Sequence, residues 1–294
     1  MEAPYLQSRL DFLRKTQNPD GGWGFFPNKA SWFEPTFYAL LALHGDPADA
    51  GRYQKGWTLA RSWQAKDGGW RPSSQVDFSN WTTAFGVTLC TLNGVYDDGF
   101  RRGVEWLLET EGSGNNLISR FVQRRASPDL DTSLEGWPWM RGTANWTEPT
   151  AHAITALRKA AAHFSDSRIK ARVDQGERML LNRRCKDGGW NYGNPWVYTT
   201  DLPSYPETTA LGLMGLQARA KDEFRTSIEL GKRLQSEMQS PLAQAWLTIS
   251  LRNNGVEPAP MPETPCSNDV LLTALEALAD PLGNHRLLRT GDSQ

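Results

Sequence analysis

The string Asp-Gly-Gly-Trp occurs three times in this chain, at Asp20–Trp23, Asp67–Trp70 and Asp187–Trp190, and a reduced form, Glu-Gly-Trp, stands at Glu135–Trp137. Self-similarity at intervals of some tens of residues restricts a chain to stacked or ring-like architectures, because each unit has an apolar face that only its neighbours can cover. Before each full copy runs a stretch with apolar residues at helical spacing among good helix formers: LDFLRKTQNP, GWTLARSWQAK and GERMLLNRRCK. After each of the four copies comes a polar and aromatic loop, then a Thr-bearing helix start and an apolar run: EPTFYALLALHG, NWTTAFGVTLCTLNG, EPTAHAITALRKA and PETTALGLMGLQ. In the first of these, Phe37, Leu40, Leu41 and His44 share one helical face. Pro35 and Pro149 fit the first helical turn, and Gly45, Gly94 and Gly255 stand where a helix stop is wanted.

The sequence therefore predicts an all-α fold of five to six helical hairpins, each an outer helix, a loop and an inner helix. Periodicity alone leaves open whether they form an open solenoid or a closed ring. The interval between tryptophans is longest from Trp70 to Trp137, and the excess reads as an insertion over residues 113–133. Residues 258–265, PAPMPETP, are too rich in proline for helix and serve as a linker before a final half-unit around NDVLLTALEALAD. We expect one domain over residues 1–283 and a loose tail over 284–294.

Charge narrows the partners. Lys and Arg total 32 against 33 Asp and Glu, a formal net charge of -1, which leaves no basic excess for a nucleic-acid backbone. The N-terminal MEAPYLQSRLDFLRK lacks the apolar core of a secretory signal, and no window approaches the roughly 20 apolar residues that span a bilayer. The expectation is a soluble, cytoplasmic chain. Cys90, Cys185 and Cys266 are far apart and form no CxxC, so neither a disulfide framework nor a thiolate zinc site is expected. Trp, at 13 residues, outnumbers Phe at 11 and Tyr at 7, and indoles in excess serve as packing anchors or as walls of an apolar cavity.

A helix, Gln, Asp-Gly-Gly-Trp, a loop and Thr-Ala at the head of an apolar helix together resemble the QW motif of the prenyltransferase and squalene-oxidase repeat. Gln17 before Trp23 and Gln64 before Trp70 match it, and Arg184 replaces Gln before Trp190. The resemblance covers about residues 10–255 and implies an (α/α) toroid of concentric helices like a squalene-hopene cyclase domain, with a central cavity at one mouth. In such a ring Trp23, Trp70 and Trp190 are expected to be structural, stacked on Gln amides at the rim. The class II terpene cyclases carry an Asp-x-Asp-Asp motif whose central Asp protonates an alkene or epoxide. That motif is absent here. Its central position is filled by Glu34, Glu148 and Glu207 at three inner-helix starts and by Trp81 at a fourth, with Trp32, Trp146 and Tyr205 flanking the acids.

These three glutamates are the candidate catalytic acids, with helix capping as the competing explanation, since an acid at a helix start is favoured by about 0.3 to 1 kcal/mol. The same field lowers a carboxyl pKa, so only burial can make a proton donor of it. His152, four residues after Glu148, shares its helical face and is a candidate to orient and reprotonate it. Trp32, Trp81, Trp139, Trp146, Tyr198 and Tyr205 are candidate cavity walls for a polyprenyl chain and its carbocations, and Asp77 and Asp201 are weaker candidates at the mouth. No Asp-Asp-x-x-Asp is present to hold magnesium, so neither metal nor cofactor is expected. The leading expectation is a terpenoid-processing enzyme, of cyclase or isomerase type, acting on an isoprenoid or other lipid. A non-catalytic toroid binding lipid or protein, and a polysaccharide lyase-like toroid, are the alternatives; peripheral membrane contact and a partner protein both stay open.

Overall fold

The computed structural model describes residues 4–112, 131–197 and 200–290. Most of the expected insertion, residues 113–130, and Tyr198 lie outside the described residues. Eleven α-helices run among the described residues in the order α1 (Pro4–Thr16), α2 (Phe33–Ala42), α3 (Ala50–Ser62), α4 (Thr83–Leu92), α5 (Asp98–Glu109), α6 (Thr147–Ala161), α7 (Ser167–Asn182), α8 (Pro206–Gly215), α9 (Arg225–Glu237), α10 (Pro241–Asn253) and α11 (Val270–Ala279). Two short antiparallel ribbons, β1 (Trp137–Pro138) with β2 (Asn145–Trp146) and β3 (Trp196–Val197) with β4 (Thr200–Asp201), decorate the loops before α6 and α8.

Helix composition decides the layer. Every residue of α2 except Glu34 is buried, and α4 is buried from Thr83 to Cys90, as suits helices covered on all sides. By contrast α5 buries Phe100, Val104, Trp106 and Leu107 while Arg101 and Arg102 face water. The inner helices pack in the sequence α2, α4, α6, α8, α10, α11 and back to α2, so the ring closes. Its seam is fastened by a buried ion pair, Arg9 Nε to Glu276 Oε2 at 3.1 Å, which ties α1 to α11. Arg9 also donates to the carbonyl of Thr264 at 2.6 Å. No outer helix precedes α11 among the described residues. The proline-rich linker takes that place, held by Gln235 on α9, whose amide both donates to and accepts from the backbone of Ala259 at 3.0 and 3.1 Å.

The Asp-Gly-Gly-Trp copies are the corners between outer and inner helix, and each corner is built alike. The indole N–H of Trp23, Trp70 and Trp190 donates to the carbonyl of Leu13, Ala60 and Leu180 in the last turns of α1, α3 and α7, at 2.8–3.0 Å. Trp137 does the same to Leu107 of α5 at 2.8 Å, although its helix lies much further back in the chain. The backbone N–H of each of these tryptophans donates to an inner-helix threonine, Thr36, Thr83, Thr150 or Thr209. The second residue of each full copy, Gly21, Gly68 or Gly188, has φ between 91° and 95°, where a side chain is strained. A Cβ on Gly86 or Gly212 would enter the ring of Trp70 or Trp190. Gln17 and Gln64 donate to the carbonyls of Gly21 and Gly68, and to those of Arg52 and Gly99 at the start of the next outer helix. The tryptophans are thus structural, as expected, but the Gln amides hold backbone carbonyls across neighbouring hairpins.

At the opposite end, residues 284–290, expected to be loose, lie across the C-terminal ends of the inner helices. The Asn284 amide donates to the carbonyls of Leu41, Ala42 and His44 after α2, and Gln217 after α8 is bonded to Leu288 and Thr290. Polar side chains satisfying orphaned helix-end carbonyls fix this segment in place.

Candidate active site

The N-terminal ends of the inner helices gather at one mouth, and the residues there repeat in register. The residue preceding α2, α6 and α8 is Trp32, Trp146 and Tyr205, with extended backbone and no side-chain cap, and the glutamate follows two residues on. An aromatic ring in the capping position gives the first-turn N–H groups no side-chain acceptor, yet the glutamates do not supply one. No hydrogen bond from the described residues reaches Glu34 or Glu148. The capping explanation fails for both, and they differ sharply from Asp97, Asp166 and Asp269, which accept backbone N–H groups at the starts of α5, α7 and α11 at 2.8–3.0 Å.

Both glutamates keep an accessible edge at the mouth, yet protein atoms surround them deeply enough that desolvation controls their protonation. Burial, with Asp269 as a like-charged neighbour, pushes the Glu34 carboxyl up to about 7. Burial, with Glu34 as the like charge, pushes Glu148 up to about 8. The helix field works the other way and loses, because without donors an ionised carboxylate has nothing to replace its water. The mouth therefore holds carboxylic acids near neutral pH.

One helical turn below, at the i+4 positions, sit Tyr38 under Glu34, Phe85 under Trp81 and His152 under Glu148. These three, with Trp246 of α10, form an aromatic plug on the axis. Tyr38 meets Phe85 and Trp246 edge-on at 5.7 and 5.5 Å, and Phe85 meets the His152 ring edge-on at 4.9 Å. Tyr38 Oη and His152 Nε2 lie 3.2 Å apart. Burial drives the His152 pKa down to about 3, so the ring is neutral. This departs from the expectation that His152 orients and reprotonates Glu148: its bond goes to Tyr38, and a neutral imidazole in a closed apolar setting carries no proton to the acid.

Above the plug, over the starts of α2 and α4, is a cavity of about 370 Å³. Glu34 stands on its wall with Trp32, Trp81 and Trp139; Phe25, Pro72, Val76, Phe78 and Met140 complete the apolar surface, and Asn80 and Thr82 add a polar edge. Trp81 and Trp139 meet edge-on at 4.7 Å. Of the other candidates, Trp146 is half-buried beside Tyr192 at 6.4 Å, and Tyr205 is exposed and leans on Tyr192 at 5.5 Å. Glu207 is half-buried at the start of α8. Asp77 and Asp201 are exposed and face Arg71 at 3.6 Å and Lys186 at 3.2 Å, so they are surface ion pairs and not part of this cavity wall. Sequence reasoning missed Tyr38, Phe85, Trp246 and Asp269. The first two had a signal, the i+4 step from Glu34 and Trp81; Trp246 and Asp269 belong to degenerate units with no corner motif to count from.

No protein-family model matches the sequence, and no curated protein matches it. Solved structures do. The fold is an (α/α) toroid. The chain is similar to a variant of the type II terpene cyclase MstE from Scytonema, solved with the substrate geranylgeranyl dihydroxybenzoate, at 17% identity over 93% of this chain and 76% of that one, with a TM-score of 0.56. It is similar to a GH76 α-mannanase from Bacteroides thetaiotaomicron at 10% identity over 97% and 94%, with a TM-score of 0.58. A family 8 endoglucanase from Klebsiella pneumoniae is 11% identical over 93% and 97%, with a TM-score of 0.57. At such identities the likeness is one of fold, shared by terpene cyclases and glycoside hydrolases alike. Among the described residues no helix is long and apolar enough to cross a membrane, and no group of three His, Cys, Asp or Glu is placed to hold a metal ion.

Proposed function

We propose that this chain is a terpenoid-processing enzyme of cyclase or isomerase type, in which the Glu34 and Glu148 pair supplies the proton that starts carbocation chemistry on a polyprenyl substrate. The observation that carries the reading is a carboxyl pair kept protonated near neutral pH, one member of which stands on the wall of an aromatic cavity. An alkene is a weak base and needs an acid freed from water, while the cation that forms needs electron-rich faces nearby, which Trp32, Trp81 and Trp139 provide. Glu34 is the member positioned to deliver the proton. Burial and the charge of Asp269 keep the proton on Glu34, and Glu148, raised by burial and by the charge of Glu34, holds the second proton.

A second reading, a sugar-active toroid, draws on the same acids, because a carboxyl pair with separated pKa values also suits cleavage of a glycosidic bond. Pro72, Val76, Phe78 and Met140 on the cavity wall weigh against it, since they offer a sugar hydroxyl nothing to bond, and the polar Asn80 and Thr82 of the wall are buried and bonded to each other. The test is incubation with polyprenols, polyprenyl diphosphates and squalene, beside β-1,4-glucan and α-mannan oligosaccharides, with product analysis for the wild type and for Glu34→Gln, Glu148→Gln and Glu207→Gln. Isoprenoid turnover is expected, with Glu34→Gln lowering it by about 100-fold or more and Glu207→Gln leaving it nearly intact. Isoprenoids unchanged throughout would remove the terpenoid reading, and turnover that survives both Glu34→Gln and Glu148→Gln would remove the assignment of the acids.

A further inference from the structure

The cavity beside Glu34 is closed on its inner side. Its wall includes Trp81 but none of Tyr38, Phe85, His152 or Trp246, although that plug lies one helical turn below. Trp81 keeps the two apart. Its ring meets Phe85 edge-on at 4.8 Å and Trp139 edge-on at 4.7 Å, and lies tilted against His152 at 5.6 Å. A hydrogen bond from the Trp81 N–H to the Trp139 carbonyl, at 3.1 Å, fixes where the two indoles stand. Three inner helices carry a glutamate at this position, Glu34, Glu148 and Glu207, so here a large ring fills space that the repeat elsewhere gives to a carboxyl. Beneath it Tyr38, Phe85 and His152 are at most 2% exposed, so the floor is sealed.

We infer that this site takes an apolar group of about fifteen carbons, and that Trp81 is the residue that sets this limit. The size follows from volume. A dry apolar cavity of about 150 Å³ accommodates one benzene ring, so about 370 Å³ has room for roughly fifteen carbons packed at the same density. Carbons beyond that number stay outside the aromatic wall, in water, and add nothing to binding. Trp81 is the wall member backed by the plug, and removing its indole joins the cavity to the space above Phe85 and His152. Phe78 and Met140, 52% and 44% exposed, border the opening instead, so truncating them adds no depth. Within the terpenoid reading, on which the identity of the occupant rests, the substrate is a chain of about three isoprene units and not squalene or a long polyprenol. The limit itself rests only on the cavity, so it is open to measurement without turnover.

The experiment is equilibrium dialysis of the wild type against geraniol, farnesol and geranylgeraniol, each longer than the last by one isoprene unit. Affinity is expected to rise by about 100-fold or more from geraniol to farnesol, because the added carbons are buried, and by under about threefold from farnesol to geranylgeraniol. In Trp81→Ala the second step is expected to grow to about tenfold or more, allowing for partial collapse of the new space. Trp81→Leu gives the same direction of change if Trp81→Ala folds poorly, and Tyr192→Ala, which removes an exposed ring off this wall, should leave the series as it is. A wild type whose affinity climbs as steeply in the second step as in the first would overturn the size limit. A second step that stays flat in both Trp81 variants would overturn the role of Trp81. Neither result touches the terpenoid reading, which falls, and this inference with it, if none of the three alcohols binds.

Discussion

Asp67 at a corner is exposed and accepts from an indole, Glu148 at the mouth is half-buried with no such donor, and the protein moves the two carboxyls in opposite directions. Burial raises Asp67 too, but donations from Ser79, from the Trp106 indole and from the Gly69 N–H, with the charge of Arg141, outweigh it and hold this carboxyl below its ordinary range. Glu148 has burial and the charge of Glu34, both raising, and no donor among the described residues. Desolvation raises both, and it prevails at Glu148, where burial is deeper and no N–H or O–H group answers it, and fails at Asp67, where such groups are aimed at the carboxyl. Asp67 is held ionised and fastens its loop, whereas Glu34 and Glu148 are held protonated with no donor bound to them.

The largest effect should fall on the structural side. Trp70→Ala removes a fully buried indole that joins α3, the corner and α4, and is expected to cost about 3–5 kcal/mol in urea unfolding. A cost under about 1 kcal/mol would show that the corners are decorative, a value typical of surface substitutions.

The next effect separates the two kinds of acid by pH. The folded chain holds protons on Glu34 and Glu148 that the unfolded chain releases above about 4.5, so their contribution makes stability fall as pH rises from about 4.5 through about 8. Asp67 acts the other way: its stabilisation is present above the ordinary carboxyl range and is lost as pH falls through its lowered folded value. His152, neutral when folded, adds stability that is lost below about 6.5, so the difference between two chains is the clean measurement. Glu34→Gln with Glu148→Gln should match the wild type near pH 4.5 and exceed it at pH 8 by on the order of 2–3 kcal/mol, allowing for solvent at the accessible edge. Parallel pH profiles for the two chains would mean that the mouth acids are not raised.

The hairpin order and the corners were legible in the sequence because Asp-Gly-Gly-Trp is a local solution to a local problem. Asp20, Gly21 and Trp23 all bond within reach of the same turn, so the string carries its own geometry. Glu34 and Glu148 were legible as positions, from counting back to the threonines that anchor each corner, but their chemistry was not. Whether a carboxyl at a helix start is a cap or an acid depends on donors and charges from other hairpins, such as Asp269 beside Glu34, and these meet only after the ring closes. Closure itself hid in Arg9 and Glu276, residues 267 apart that look like ordinary surface charges until α1 lies on α11. The pairing of His152 with Tyr38 was hidden for the same reason, since sequence spacing shows a helix's own face and not the face opposite.

That pairing allows the finest test of the contrast. Tyr38 lies close enough to Glu34 and Glu148 for both their charges to raise its own pKa, together with the burial that dominates it. Its hydroxyl is engaged by His152 instead of donating to a carboxyl. Tyr38→Phe should therefore cost only about 1 kcal/mol, for one buried hydrogen bond, and the pH profile set by the two glutamates should be unchanged. If the profile moves to higher pH, the hydroxyl had been donating to a mouth carboxylate and holding its pKa down. Glu34 or Glu148 would then belong, in part, with Asp67, and the line between corner acids and mouth acids would be one of degree.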